Sequence, residues 1–314
     1  MGYRVLKKIL LGWFLLVVLV ALLGKVTVAA TDAGRTAADF LKVGMGASSA
    51  SMGDAYSAVA ENVDAAYWNP AQLTYMSNSQ VTLGHFEWYQ DISVEQGAAG
   101  FNVNENLSMA FSMIYVGYGE IAATDYNGPT GEQITAYDWA AGLSAGYRLS
   151  DMFAFGLTAK YINQQLDDIS AGTYAFDMGG SANFGRVTVA GVVANVGPDL
   201  EFDGVAEPLP TSARLGLAVR FFDDMLTTSV ELDNQFDGDL TFRQGLQFTF
   251  DGQYYIRTGM NYIPGSFDKV SGSEAAIGAG IRMGRMQFDY SFTPDDRYTA
   301  GSLHRISLTL GVGE

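Results

Sequence analysis

The chain has 314 residues, of which 48% are hydrophobic and only 17% charged, with a formal net charge of −16. Soluble domains average roughly 25% charged residues, so this chain is either heavily buried or faces something other than water. The acidity argues against nucleic acid as a partner, and the absence of Cys excludes disulfides, thiol catalysis and thiolate metal sites.

The first element is a targeting segment. Arg4, Lys7 and Lys8 precede an uncharged apolar run from Ile9 to Leu23, and Val28-Ala29-Ala30 supplies small residues for a cut after about Ala30. This is the pattern of a secretory signal peptide. The apolar run, about 15 residues, is short of the roughly 20 that a spanning helix needs. Residues 1–30 carry four of the 18 basic and none of the 34 acidic residues, leaving 14 against 34 and a formal charge of about −20.

Residues 31–78 carry no strand pattern. Asp54 to Ala66 has an Ala-rich helical bias. Asn69-Pro70 ends any helix there, because the residue before Pro avoids the α region. Gly44, Gly46 and Gly53 permit turns and close backbone approach.

Beyond residue 78 the signal is period-2 alternation. One face holds Leu107, Met109, Phe111, Met113 and Tyr115; later faces hold Phe153, Phe155, Leu157 and Tyr161, then Leu215, Leu217, Val219 and Phe221. The pattern recurs with Phe242, Leu246, Phe248 and Phe250, with Met286, Phe288, Tyr290 and Phe292, and with Ile306, Leu308, Leu310 and Val312. Opposite faces carry small and polar residues with scattered charges. Strands are expected at 80–89, 94–104, 106–116, 138–149, 152–163, 173–184, 186–196, 211–222, 225–235, 240–250, 253–262, 273–283, 285–293 and 302–312. Tight turns alternate with longer links, among them Gly117 to Tyr137 and Gly197 to Pro210; the short first link, Gln90 to Ser93, breaks the rule. Long aromatic faces, an even strand number and alternating connections predict an all-β transmembrane outer-membrane barrel of about 14 antiparallel strands. Lipid allows only a closed barrel, since every backbone group must be paired. Residues 31–78 therefore cannot face lipid. They are expected to form an N-terminal hatch or plug inside or beneath the barrel of residues 79–314.

The stretch "VGMGASSASMGDAYSAVAENVDAAYWNPAQL" resembles the N-terminal signature of the PorV/PorQ family of outer-membrane proteins, within the wider FadL-like (long-chain fatty acid transporter) group. Met52, Gly53, Ala55, Tyr56, Trp68, Asn69, Pro70, Ala71 and Leu73 match the motif, and Gly44, Gly46, Asp54 and Tyr67 lie within it. The chain departs from it at Ser48, where Arg is frequent, at Ser51 and Gln72, where Gly is frequent, and at Glu61-Asn62, which replaces an acidic pair. "EPLPTSARLGLAVRF" and "LHRISLTLGVG" also look like the family, although the chain ends Val312-Gly313-Glu314 without the aromatic residue of many barrels. The resemblance implies a fourteen-stranded FadL-like barrel with a hatch. It implies one of two functions: binding secreted cargo, through its C-terminal domain, or translocon partners in type IX-like secretion; or, as in FadL proper, passing hydrophobic small molecules through the lumen.

Alternation points Arg148, Arg214, Arg220, Arg243, Arg257, Arg282 and Arg305 into the lumen, with Asp177, Glu231, Asp233 and Asp289. Such charges could select a solute or grip the hatch; charges inside a barrel must also pair, so a structural ion-pair network is the plainer reading. The acidic loops, Asp167-Asp168, Asp199 to Glu207, Asp237 with Asp239, and Asp295-Asp296, match no spaced calcium motif. Trp68 suits a wedge between hatch and wall. Gly156, Gly259 and Gly278 could mark wall kinks. His85 and His304 are poor grounds for a metal site, and no local Ser/His/Asp arrangement suggests a hydrolase. The expectation is a non-enzymatic protein of the bacterial outer membrane, in contact with its lipid, with no cofactor and no metal.

Overall fold

The computed structural model describes residues 36–88, 91–126, 128–236, 238, 240–263, 273–294 and 302–312; the expected signal peptide, Asp237, Asp239 and Asp295-Asp296 lie outside the described residues. In chain order the strands are β1 (Ser79–Glu87), β2 (Ser93–Asn102), β3 (Leu107–Gly117), β4 (Ile121–Asp125), β5 (Gly128–Ile134), β6 (Ala136–Arg148), β7 (Phe153–Leu166), β8 (Ile169–Asn183) and β9 (Val187–Val196). They continue as β10 (Leu200–Phe202), β11 (Val205–Glu207), β12 (Ser212–Phe221), β13 (Leu226–Gln235), β14 (Leu240–Phe250), β15 (Tyr254–Tyr262), β16 (Ser273–Met283), β17 (Met286–Thr293) and β18 (Leu303–Val312).

Fourteen of these close into one antiparallel barrel, with β1 paired to both β2 and β18. They are the fourteen segments expected from alternation. The reading of two long links as plain loops is corrected: β4 and β5 form a separate hairpin between β3 and β6, and β10 and β11 another between β9 and β12. Neither pair shows a long apolar alternation in sequence, so no period-2 signal marked it.

The apolar faces look outward. Leu143 is 63% exposed whereas the next residue, Ser144, is 1% exposed, and Leu157 is 59% against 2% for Thr158. In a sandwich that pattern would be inverted; here lipid covers the exposed apolar side. Aromatic pairs gather on the outward face near the long-link rim: Tyr115 stacks on Tyr137 at 5.8 Å and Trp139 meets Tyr161 at 5.5 Å between centroids. Such rings suit the membrane interface.

The barrel is filled by its own N-terminal segment. Residues 36–78, here the inner segment, run from the long-link rim to the tight-turn rim. At the first rim Ala37 N donates to Pro208 O at 3.0 Å and Ala38 N to Gln164 Oε1 at 3.0 Å. At the other, Met76 O accepts from Asn102 Nδ2 at 3.1 Å. The helical bias expected over Asp54–Ala66 is corrected. Helical turns lie at Asp39–Lys42, Ala47–Ser51, Ala65–Trp68 and Pro70–Tyr75, and the stretch between Ala47–Ser51 and Ala65–Trp68 is a series of turns. Gly53 and Asp54 both adopt left-handed φ, 61° and 60°, which stops helix propagation there. Tertiary packing in the lumen overrides a propensity that amounts to less than 1 kcal/mol or so per residue.

Asn69-Pro70 does more than end a helix. Asn69 is extended, φ −163° and ψ 104°, as a residue before Pro should be, and its Oδ1 accepts from Ala71 N at 3.1 Å. Pro70 then opens the next helical turn, where its missing N–H costs nothing.

Candidate functional site

The inner segment is seated on wall glycines at two opposite places. A Cβ on Gly156 of β7 would lie 2.3 Å from Pro70 C and Ala71 N, and one on Gly179 of β8 would lie 2.1 Å from Asn69 Oδ1. Across the lumen, a Cβ on Gly259 of β15 would lie 2.0 Å from Met52 C, and one on Gly278 of β16 would lie 2.4 Å from Ser51 Cβ. Gly156 and Gly259, expected as sites of wall kinks, let the inner-segment backbone touch the wall, and Gly278 admits the Ser51 side chain. Of the motif residues, Met52, Gly53, Asn69, Pro70 and Ala71 form these two contacts.

Trp68 stands between them. It is 1% exposed, and its Nε1 donates to Met45 O at 2.9 Å. Tyr67 and Tyr56 meet it edge-on at 5.0 and 6.1 Å, while the guanidiniums of Arg214 and Arg243 lie over its ring at 5.4 and 5.9 Å. Gly44 packs against the same indole: a Cβ there would lie 2.9 Å from Trp68 Cζ2 and 2.8 Å from Asp54 Oδ1. A Cβ on Gly46 would lie 2.6 Å from Asp64 Oδ2. Asp64 is fully buried without a cation partner among the described residues. Its Oδ2 accepts a hydrogen bond from Asn62 Nδ2 at 2.9 Å.

Of the charges expected in the lumen, most meet one another or the inner segment, whereas Arg282 bonds Gln287 of β17 and Asp177 meets Lys160. Arg243 Nη1 reaches Glu231 Oε1 at 3.2 Å and its Nη2 reaches Asp233 Oδ2 at 2.7 Å; Glu231 in turn accepts from Ser57 N at 3.0 Å and from Ser57 Oγ. Arg214 donates to Tyr67 O at 3.3 Å, Arg305 to Gly44 O at 3.1 Å, and Arg148 to Thr74 O. Arg257 and Asp289 form a buried pair at 2.6 Å, Arg220 pairs with Glu61, and Arg282 bonds Gln287. Breaking one partner of such a buried pair costs about 3–5 kcal/mol, because the other charge is stranded.

The alternation also held a residue that was passed over. Lys160, on the inward face of β7, pairs with Asp177 at 2.8 Å and bonds Asn195 Oδ1. Asn195, φ 60°, belongs to a bulge in which Ala194 and Asn195 oppose Asp177 alone, and Asp177 Oδ1 accepts the freed Asn195 N–H at 2.8 Å. The inward phase of "FAFGLTAKY" would have found Lys160. Nothing local marks the bulge. His85 and His304 face outward and each bonds a different neighbour, Glu95 and the Tyr290 hydroxyl, both at 2.7 Å.

Space in the lumen is unequal. Beside Trp68, on the long-link side, a cavity lined by Leu41, Tyr67, Lys160, Arg214 and Arg243 has a volume of about 30 Å³. Under the inner segment, at the tight-turn rim, lies an open vestibule of about 490 Å³.

A family model described as Type IX secretion system protein PorV matches residues 29–240. No curated protein matches the chain. Among solved structures, the toluene transporter TbuX of Ralstonia pickettii is 13% identical with a TM-score of 0.64, over 86% of this chain and 99% of that one. A FadL homologue of Pseudomonas aeruginosa is 12% identical with a TM-score of 0.58, over 85% and 98%. The Pseudomonas putida toluene transporter TodX is 13% identical with a TM-score of 0.59, over 85% and 96%. At such identities these likenesses show a shared fold, that of a FadL-like barrel. The family match spans well over half of the sequence, and the chain belongs to the family of the type IX secretion system protein PorV.

Proposed function

We propose that this protein is a non-enzymatic component of protein secretion across the outer membrane, reached after removal of a signal peptide that ends at about Ala30. Its partners in this reading are secreted cargo, through a C-terminal domain, or translocon subunits, met on the long-link side. The observation that carries the proposal is the family match over residues 29–240.

The geometry supports a binding role over a channel. A cavity of about 150 Å³ accommodates benzene, whereas the space beside Trp68 is about 30 Å³, enough for a water or two. The lumen charges then serve to grip the hatch rather than to select a solute. A channel for hydrophobic small molecules, in keeping with the fold shared with two toluene transporters, is the alternative and requires the inner segment to move.

The test is purification from native outer membrane in mild detergent, with mass spectrometry of both bound proteins and extracted small molecules. Recovery of a large translocon subunit, or of secreted proteins sharing a C-terminal domain, is the expected result. Apolar molecules recovered without any protein partner would overturn it in favour of the channel.

A further inference from the structure

We propose that the vestibule at the tight-turn rim is a binding site for a carboxylate- or phosphate-bearing ligand approached from the periplasm. The proposal rests on barrel sidedness, tight turns being periplasmic in such barrels, and not on the secretion reading.

The vestibule has the size of a small-molecule site. Its volume is about 490 Å³, within the roughly 300–1,000 Å³ typical of ligand pockets. Its roof is the underside of the inner segment, including Tyr75, and its wall includes Arg220, Arg257, Arg282 and Arg285. Two of these arginines are compensated, Arg220 by Glu61 and Arg257 by Asp289. The other two are not. Arg282 donates Nε and Nη2 to the neutral Gln287 Oε1 at 3.1 and 2.8 Å, and Arg285 makes no ion pair among the described residues. The other carboxylate that lines the vestibule, Asp224, is exposed.

Arg282 is also held in place. Its guanidinium lies 5.4 Å from the centroid of the Tyr255 ring, which Arg257 approaches at 4.8 Å. Gln287 is fixed in turn by donating Nε2 to Asp289 Oδ2 at 2.8 Å. The Arg282 fork is thus oriented by neutral and aromatic neighbours, and Arg282 and Arg285, both exposed at the mouth, have no acidic partner among the described residues. That arrangement suits bidentate recognition of a planar or tetrahedral oxyanion. A second sign is Tyr75: the residue lines the vestibule, Arg148 lies over its ring at 5.2 Å, and its buried Oη has no hydrogen-bond partner among the described residues. A buried hydroxyl without a partner is a donor awaiting an acceptor. In a chain of formal charge −16, these donors gathered at one mouth favour an anion there.

The experiment uses the full purified chain in detergent at low salt, with fluorescein-labelled hexaglutamate titrated by anisotropy. Saturable binding is expected, weakened at least tenfold by the double substitution Arg282→Gln/Arg285→Gln and severalfold by Tyr75→Phe. Arg186→Gln serves as the control, since Arg186 is exposed near the same rim and already faces Asp223 at 3.5 Å; it should shift binding by less than twofold. Each variant is first checked for the heat-modifiable mobility of a folded barrel. Displacement by equimolar inorganic phosphate would identify a small oxyanion as the ligand, and resistance to it an acidic peptide. Absence of saturable binding, or equal weakening by Arg186→Gln and the double substitution, would overturn the proposal.

Discussion

The two halves of the lumen are built from the same strands and by the same alternation, yet they differ in space and in charge balance. On the long-link side, Trp68 and its two flanking arginines leave about 30 Å³, and each cation there has a carboxylate or carbonyl against it. On the tight-turn side about 490 Å³ stays open, and Arg282 and Arg285 have no acidic partner among the described residues. The difference follows from where the inner segment presses. Its glycine seats let Asn69 to Ala71 and Ser51 to Gly53 touch the wall, which brings Trp68 up against Arg214 and Arg243. Below these seats the segment stays against β2, β3 and β6, where Gly100 and Gly146 admit Met76 and Leu73, and leaves the opposite side of that rim open. Close packing on one side and unspent donors on the other separate a structural half from a binding half.

Three substitutions test that division. Trp68→Ala should have the largest effect, about 3–5 kcal/mol of stability, as large aromatic truncations in packed interiors do. It should also open the long-link side, so that the denaturant midpoint falls while uptake of a hydrophobic dye into liposomes bearing the protein rises. Unchanged stability would mean that Trp68 is not a wedge. Gly156→Ala comes next. Its Cβ has no room against Pro70 and Ala71, and overpacking of this kind costs about 1–3 kcal/mol. Because the chain has no Cys, a single Ser51→Cys reporter on the inner segment can be followed by thiol labelling, which should be faster in the Gly156→Ala background. Equal labelling rates would show that the seat is not tight. Arg220→Ala should matter least. It removes a half-buried pair, with Arg220 14% and Glu61 55% exposed, so that solvent screening holds its contribution to about 1 kcal/mol. A thermal shift as large as that of Trp68→Ala would erase the contrast between the two halves.

Much of this was legible before any coordinates. Alternation located all fourteen barrel strands, because a wall with lipid on one side and a packed lumen on the other imposes period 2 on every strand. The same alternation gave the inward phase of the arginines and their carboxylates, and read with more care it also held Lys160. The β4–β5 and β10–β11 hairpins went unseen, since short ribbons above the membrane have no apolar face to keep. The turns of residues 52–64 were misread as helical because Ala-rich composition reports local propensity, and the lumen wall outweighs it.

What the sequence by itself determined is the barrel: strand number, facing and the alternation of turns and links all follow from lipid outside and paired backbone within. What only the tertiary structure decided is how the lumen is divided. Which glycines seat the inner segment, which arginines find partners and which are left free depend on contacts between residues as distant as Asn69 and Gly179 or Met52 and Gly259. Alternation specifies only which side of the wall a residue faces; the path of the inner segment decides what it meets there.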